Sequence, residues 1–513
     1  MTVLRFADYA SARGAESTYD ADVVVIGTGA GGAVVGAELA EAGLDVILVE
    51  EGGWHSTDTF NAFMSESIPR LFRDAGVSVI LGTPPIPFIE GRCVGGSTTI
   101  NGGMAWRTPE DVLEAWEHST GAPELGVAGM APYFEAVERR VSAKHHLDVA
   151  VGDDNRIMVE GARKMGWRVE VNRRNQDTCV GANNCILGCP TGAKQSTLVS
   201  YMPRAMAAGA RCLTEVRAEE LVIEGGRCVG VRGRGVDPRT RKLTKAVTVR
   251  GRAVVVAGGA LQTPILLERH KLGRPSGLLG RNFTCHPNVK VLAVYPFDVR
   301  GWQGVSQYSQ IREFHDEGIV MAENMITPGM VAAHLPFHGQ QALELMTRYN
   351  QIVCSGALVE DSTTGTVKRG PGGMAVARYD ITWQDHARFL KGARLLAEMH
   401  FAMGAEMVLL PFANLPVARS ADDLRRIDAT QTKRKTLELF TVHMMGTACM
   451  GADPRRSVID LGGQVWDLPG CYVADASIFP TAIGVNPQIT IMAMATRIAE
   501  RMAMDTSKLR RAA

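Results

Sequence analysis

At 513 residues the chain carries about three domains' worth of material, and a 46% apolar content is enough to bury a large core. Its 55 basic and 54 acidic residues leave a formal net charge of +1, which removes the electrostatic case for a nucleic-acid partner. No apolar run is long enough to span a bilayer, and ten cysteines in this length make no disulfide scaffold, so they read as reduced thiols.

In chain order, residues 1–22 have neither the apolar core of a signal peptide nor a twin arginine, which gives the expectation of a soluble, cytoplasmic protein. The run Ala21-Asp22-Val23-Val24-Val25-Ile26 is apolar and β-branched, as a buried parallel strand requires. Gly27, Gly29 and Gly32 then spell G-x-G-x-x-G at a strand-to-helix turn. In such a turn the first glycine permits the bend, the second lets a pyrophosphate approach, and the third lets the helix pack closely; the helix amides face the phosphate. A helix over 33–43 and a strand over 44–50 complete the unit. Glu50 ends that strand 18 residues after Gly32, where an acidic side chain can hold ribose hydroxyls. This context argues for a dinucleotide and does not separate NAD from FAD.

A second glycine-rich block follows, Gly91-Arg92-Cys93-Val94-Gly95-Gly96-Ser97-Thr98-Thr99-Ile100-Asn101-Gly102-Gly103-Met104. Cys179, Cys185 and Cys189 then stand at C-x5-C-x3-C in a turn-rich loop. Three readings fit them: thiolates for an iron–sulfur cluster, zinc with a fourth ligand from elsewhere, or structural cysteines. Residues 211–256 read as short strands with turns at Gly225-Gly226 and near Asp237-Pro238. A buried strand over 253–257 leads through Gly258-Gly259 into a helix over 262–271. From 285 to about 412 the texture is irregular, with helical periodicity over 386–403. Here Met321, Met325 and Met330, with Leu335-Pro336-Phe337, suit either the wall of an apolar pocket or ordinary core packing. The last helix is placed at 487–504, with Pro487 in its first turn. Nucleotide-type elements at both ends, around a different middle, imply a discontinuous cofactor domain.

Near the C-terminus His443 and Asn486 stand 43 residues apart among Gly, Met, Ala and Ile. A desolvated imidazole is suited to accept a proton near neutral pH, and a neutral amide can orient a substrate hydroxyl. His286, in Cys285-His286-Pro287, is assigned a structural part instead.

Taken in order, GTGAGG with Glu50, GRCVGGSTTINGGM, AGGALQTPILL, GRNFTCHP, and HMMGTACMG through DASIFPTAIGVNPQITIMA resemble the motifs of the glucose–methanol–choline (GMC) oxidoreductases over nearly the whole chain. The resemblance implies FAD rather than NAD. It implies an α/β (α+β two-domain) fold: a discontinuous Rossmann-like FAD-binding domain over 18–110, 195–285 and 440–513, and a substrate domain on an antiparallel sheet over 111–194 and 286–439. Carried over residue by residue, Gly27, Gly29, Gly32 and Glu50 hold the ADP half. Gly95, Gly96, Asn101 and Met104 line the pyrophosphate and flavin, and Val216 meets adenine through its backbone. Ala476, Asn486 and Gln488 close over the ribityl chain and isoalloxazine. Ile100 stands where some members carry the histidine that attaches FAD covalently, so a non-covalent cofactor is expected.

The family's catalytic pair falls on His443 and Asn486, and an asparagine at 486 is similar to the cholesterol-, choline- and long-chain-alcohol-oxidising branch. The expected reaction oxidises a hydrophobic primary or secondary alcohol to aldehyde or ketone, with His443 as base and hydride passing to flavin N5. Oxygen or another acceptor then takes the electrons. The Cys179, Cys185 and Cys189 triplet resembles that of some bacterial GMC dehydrogenases with a three-iron cluster, which keeps open an Fe–S dehydrogenase with an electron-transfer partner. A lyase that retains FAD is the remaining alternative.

Overall fold

The computed structural model describes residues 2–11, 14–146, 150–428 and 432–504. Val23–Ile26, Val46–Val49 and Ala253–Val256 are apolar strands buried on both faces, as expected where helices cover a parallel sheet. They form the centre of a six-stranded parallel sheet in the order Thr2–Leu4, Arg211–Leu213, Val46–Val49, Val23–Ile26, Ala253–Val256, Cys471–Val473. Val23–Ile26 has its successor Val46–Val49 on one side and the much later Ala253–Val256 on the other. The strand order therefore switches beside it, which opens a crevice at the strands' carboxyl ends. The helix Gly32–Glu41 follows the glycine turn and packs against Tyr201–Ala207 and Gln488–Ala503. Pro487 caps that last helix. Residues 505–513, the end of the region assigned from sequence to the FAD-binding domain, lie outside the described residues.

Val216–Glu224, Arg227–Val236 and Leu243–Arg250 form an antiparallel meander, with Glu16–Asp20 added in parallel at its edge. The turns anticipated at 225–226 and near 237–238 fall between these strands.

A seven-stranded antiparallel sheet makes the second body. Its order is Val417–Ala418, Met407–Leu409, Asn288–Val294, Ile352–Val359, Ile319–Glu323, Ser309–Ile311, Val169–Val171. One face, through Val289, Val291, Val353, Ala357, Ile319 and Met321, packs into a core with the 20-residue helix Trp383–Ala402. The alternate residues of the same strands turn the other way. Met321 is thus core, fully buried, and is set aside as a pocket residue. A separate core surrounds the parallel sheet. It takes in Leu113, Trp116, Phe134 and Val137 from the helices Glu110–Thr120 and Val127–Arg140, which sequence order assigned to the substrate domain. Among the described residues no helix is long and apolar enough to cross a membrane.

Candidate active site

A cavity of about 730 Å³ runs from the carboxyl ends of the parallel strands to the outer face of the seven-stranded sheet. Its near wall is the glycine turn, and the three motif glycines are bare for different reasons. A Cβ on Gly27 would run into the Ala257 carbonyl, and one on Gly32 into the Gly27 carbonyl. A Cβ on Gly29 would meet nothing closer than the Gly96 Cα at 4.0 Å. Protein packing therefore demands the outer two, while Gly29 leaves space that belongs to the cavity.

Glu50 is buried beside this turn. One carboxylate oxygen accepts from the Thr28 amide (3.0 Å) and hydroxyl (2.7 Å), the other from the Gly52 amide (2.9 Å). Burial pushes its pKa up against those donors. Val216 lines the cavity next to it, with its amide committed to the Glu50 carbonyl (2.9 Å). The Gly95 amide donates to the Thr28 hydroxyl (3.1 Å), which ties the two glycine blocks together.

Further in, the Asn101 amide donates to Gln488 Oε1 and its oxygen accepts from the Gly103 amide (3.1 Å). Gln488 Nε2 is left buried without a partner. Met104 lines the cavity, its sulfur 3.2 Å from Gln310 Nε2. Ala476 begins the short helix Ala476–Ile478, and its carbonyl accepts from the Gly446 amide (3.0 Å).

His443 and Asn486, 43 residues apart, meet in the wall: Asn486 Nδ2 lies 3.2 Å from His443 Nε2. With the amide donating, Nε2 holds the ring's lone pair, an assignment that follows from the hydrogen bond. Burial, and secondly the charge of Lys290, pull the His443 pKa from 6.5 down to about 4. The imidazole is therefore neutral at neutral pH. His286, which the sequence reading assigned a structural part, stands beside the pair. Its Nε2 accepts from the Gly484 amide (3.1 Å), two residues before Asn486, and its ring stands edge-on to that of His443 at 5.7 Å. Met325 and Met330 line the cavity, while Leu335 and Phe337 pack against a small core beneath.

The GMC oxidoreductase profiles match residues 47–288 and 362–495, and an FAD binding domain profile matches 22–67. An uncharacterized GMC-type oxidoreductase of Mycobacterium tuberculosis is 36% identical over 491 residues, covering 94% of this chain and 75% of that one. The chain belongs to the GMC oxidoreductase family. A long-chain-alcohol oxidase of Arabidopsis thaliana is 27% identical, over 94% of this chain and 67% of its own. A pyridoxine 4-oxidase structure from Mesorbium loti shares the fold, with a TM-score of 0.70 at 18% identity over 94% of this chain and 98% of that one. As a GMC oxidoreductase, the protein is an FAD-dependent enzyme acting on CH–OH donors.

The residues present fit FAD. The space at Gly29 and the orphaned Gln488 amide both face one continuous cavity. Among the described residues no group of three or more His, Cys, Asp or Glu could hold a metal ion. Two of the triplet's sulfurs have protein donors: Cys185 accepts from Arg174 Nη2 (3.8 Å) and Cys189 from the Lys194 amide (3.4 Å). Burial opposes a Cys189 thiolate, but the hydrogen bonds to it win and hold its pKa below the ordinary thiol value.

Three residues of this GMC site carried no assignment from sequence. Lys194 buries its ammonium against the carbonyls of Thr99 (2.8 Å), Asn101 (2.7 Å) and Cys185 (2.6 Å), joining the cysteine loop to the second glycine block. Burial lowers its pKa to about 8. Asp475 accepts from the Gly259 amide (2.8 Å), Thr263 Oγ1 (2.5 Å) and the Ser477 amide (2.8 Å), fixing the helix Gly259–Arg269 against the loop before Ala476. Lys290 projects from the seven-stranded sheet. A lone charge inside an apolar run was the available signal for Asp475 and Lys290, while Lys194 stands among small and polar residues and offered none.

Proposed function

We propose that the protein oxidises an alcohol with a largely apolar body to the aldehyde or ketone, with His443 as proton acceptor and Asn486 as the group that orients the reacting oxygen. The observation that carries this reading is the 3.2 Å contact of Asn486 Nδ2 with a neutral His443 Nε2 in the cavity wall. A substrate hydroxyl entering there donates its proton to Nε2 and accepts from the Asn486 amide. As the O–H bond opens, the carbinol C–H bond breaks with its electron pair leaving as hydride, and the C=O bond forms. FAD, when bound, supplies the hydride acceptor. Gly29, Gly95, Gly96, Asn101, Gln488, Glu50 and Val216 are its proposed seat. Ile100 lines the cavity and offers no nucleophile for a covalent link. The long-chain-alcohol oxidase similarity supports a hydrophobic substrate and oxygen as final acceptor.

The test is anaerobic bleaching of the flavin by a panel of alcohols, followed by exposure to air. His443→Ala is expected to retain FAD while slowing reduction by about 100-fold or more, the scale of a lost general base. Reduction at the wild-type rate would sink the assignment. Failure of every alcohol to bleach the wild-type flavin would instead favour a non-redox use of the cofactor.

A further inference from the structure

The cavity wall formed by the seven-stranded sheet is not uniformly apolar. Across three neighbouring strands Lys290, Gly356 and Ala322 stand in one row, since Lys290 pairs with Gly356 and Gly356 with Ala322. All three line the cavity. The glycine leaves the Lys290 side chain free to lie across the middle strand and reach Asn324 Oδ1 at 2.5 Å. A Cβ on Gly356 would stand 3.1 Å from Lys290 Nζ and 3.0 Å from Asn324 Nδ2. Asn288, two residues earlier on the strand and so on the same face, also lines the cavity, and its Oδ1 is buried without a partner.

This ammonium is under-satisfied. It has three donors, and among the described residues Asn324 is its one hydrogen-bond partner and no carboxylate lies within ion-pair distance. Glu323 is within electrostatic reach, but it accepts from the Gln307 amide (2.7 Å) and Asn155 Nδ2 (3.2 Å) instead. Burial, and secondly the neighbouring Asp154, push the Glu323 pKa well up, which reduces its power to neutralise the lysine. A buried cation with open donors costs stability unless something accepts from it.

Resting on the alcohol-oxidising reading above, we infer that Lys290, with Asn288 and Asn324, anchors a carboxylate carried by the substrate elsewhere than on its reacting carbon. The substrate class is then an apolar hydroxy acid. A carboxylate matches one ammonium in charge and accepts its open donors, with further polar contact from the two amides. A phosphate dianion asks for more donors than this wall of the cavity provides. Val320, Leu358, Phe440 and Val442 line the same cavity, are apolar and suit a hydrocarbon body.

Two measurements on the holoenzyme test the anchor. Straight-chain alkanoates of graded length are titrated against the oxidised enzyme and followed by perturbation of the flavin spectrum. This binding readout does not depend on turnover. At the best length, Lys290→Met is expected to weaken binding by about tenfold or more, the scale of a lost charged hydrogen bond. The second measurement is the ratio of kcat/KM for ω-hydroxy acids over 1-alkanols of equal length, which general damage to the enzyme leaves unmoved. Lys290→Met is expected to lower that ratio about tenfold. Gly356→Ala, which keeps the lysine but crowds it, is expected to lower it as well. Alkanoate binding that is absent, or equal in wild type and Lys290→Met at every length, would overturn the anchor. So would a ratio that Lys290→Met leaves unchanged. Alkanols that bleach the flavin without any such preference would leave the alcohol-oxidising reading standing alone. Alkanoate binding through Lys290 with no bleaching by either series would do the reverse.

Discussion

Gly27, Gly29 and Gly32 are spelled alike, yet only Gly29 is bare for the sake of the cavity. Gly29→Ala should therefore fold and melt close to the wild-type apoprotein while losing much of its FAD affinity. Gly27→Ala adds a Cβ at φ +98 against the Ala257 carbonyl, which costs about 1–3 kcal/mol from the backbone conformation before any clash is counted. Thermal melts of the apoproteins, with FAD titrations of each, check both expectations. Equal FAD affinity in Gly29→Ala and wild type would contradict the reading of the turn. The motif made these glycines legible because it is local: strand, turn and helix are consecutive in the chain. Lys290 was not legible in the same way. Its chemistry arises from a row across three strands, and nothing in Asn288–Val294 announces that its neighbour is a glycine. Asp475 was within a quoted motif, but its three partners come from two separate segments.

At the scale of elements, the helix Trp383–Ala402 shows how the antiparallel-sheet body is held together. Thr382 accepts from the Asp385 amide (3.0 Å) and Asp385 accepts from the Thr382 amide (3.1 Å), a capping box that fixes the helix start. Near its other end His400 is fully buried, with Nδ1 2.9 Å from the Tyr295 hydroxyl and Nε2 2.9 Å from the Ser355 hydroxyl. One ring nitrogen donates and the other accepts, so the neutral imidazole stitches the helix to the strand Ile352–Val359 and to the residue just past the strand Asn288–Val294. His400→Leu should destabilise the protein by about 2–4 kcal/mol, because two buried hydroxyls lose their partner. Burial pulls the His400 pKa from 6.5 down to about 3. A histidine depressed in the folded state gives stability that is present above 6.5 and is lost as pH falls toward 3, since the unfolded chain takes up the proton first. The gap between wild type and His400→Leu should thus shrink below pH 6.5 by about 1.4 kcal/mol per unit. Urea-melt midpoints at pH 7 and pH 5 measure it, and a gap that widens on acidification would refute the neutral-histidine account. The helix was readable from its period. The strands Asn288–Val294 and Ile352–Val359 were not, because nearly all their residues are buried and the alternation in Asn288–Val294 lasts only from Asn288 to Val291 before it runs into Leu-Ala-Val.

For the whole molecule, the two large cores meet through the cavity and through the helix Gly259–Arg269. Ala260, Leu261 and Ile265 of that helix belong to the antiparallel-sheet core, while Leu266 and Leu267 belong to the core of the parallel sheet. The cavity wall is likewise shared. Gly27 to Gly31, Glu50 and Val256 come from the parallel sheet's side, and Lys290, Val320 and Leu358 from the other. A ligand filling this space binds the folded arrangement and not the unfolded chain, so it must stabilise the fold by mass action. The increment is about 2.7 kcal/mol at a free FAD concentration 100 times its Kd, and it grows with the logarithm of concentration. Apoprotein stripped of flavin should melt below the reconstituted enzyme, with a midpoint that climbs steadily as FAD is added beyond saturation. Gly29→Ala should need more FAD to reach any given midpoint, because its loss is in affinity and not in the apo fold. Differential scanning calorimetry across an FAD series separates these outcomes. A midpoint indifferent to excess FAD would mean that FAD does not bind the folded arrangement in preference to the unfolded chain. The shared wall would then not couple the two halves through FAD, and the helix Gly259–Arg269 alone would carry that part.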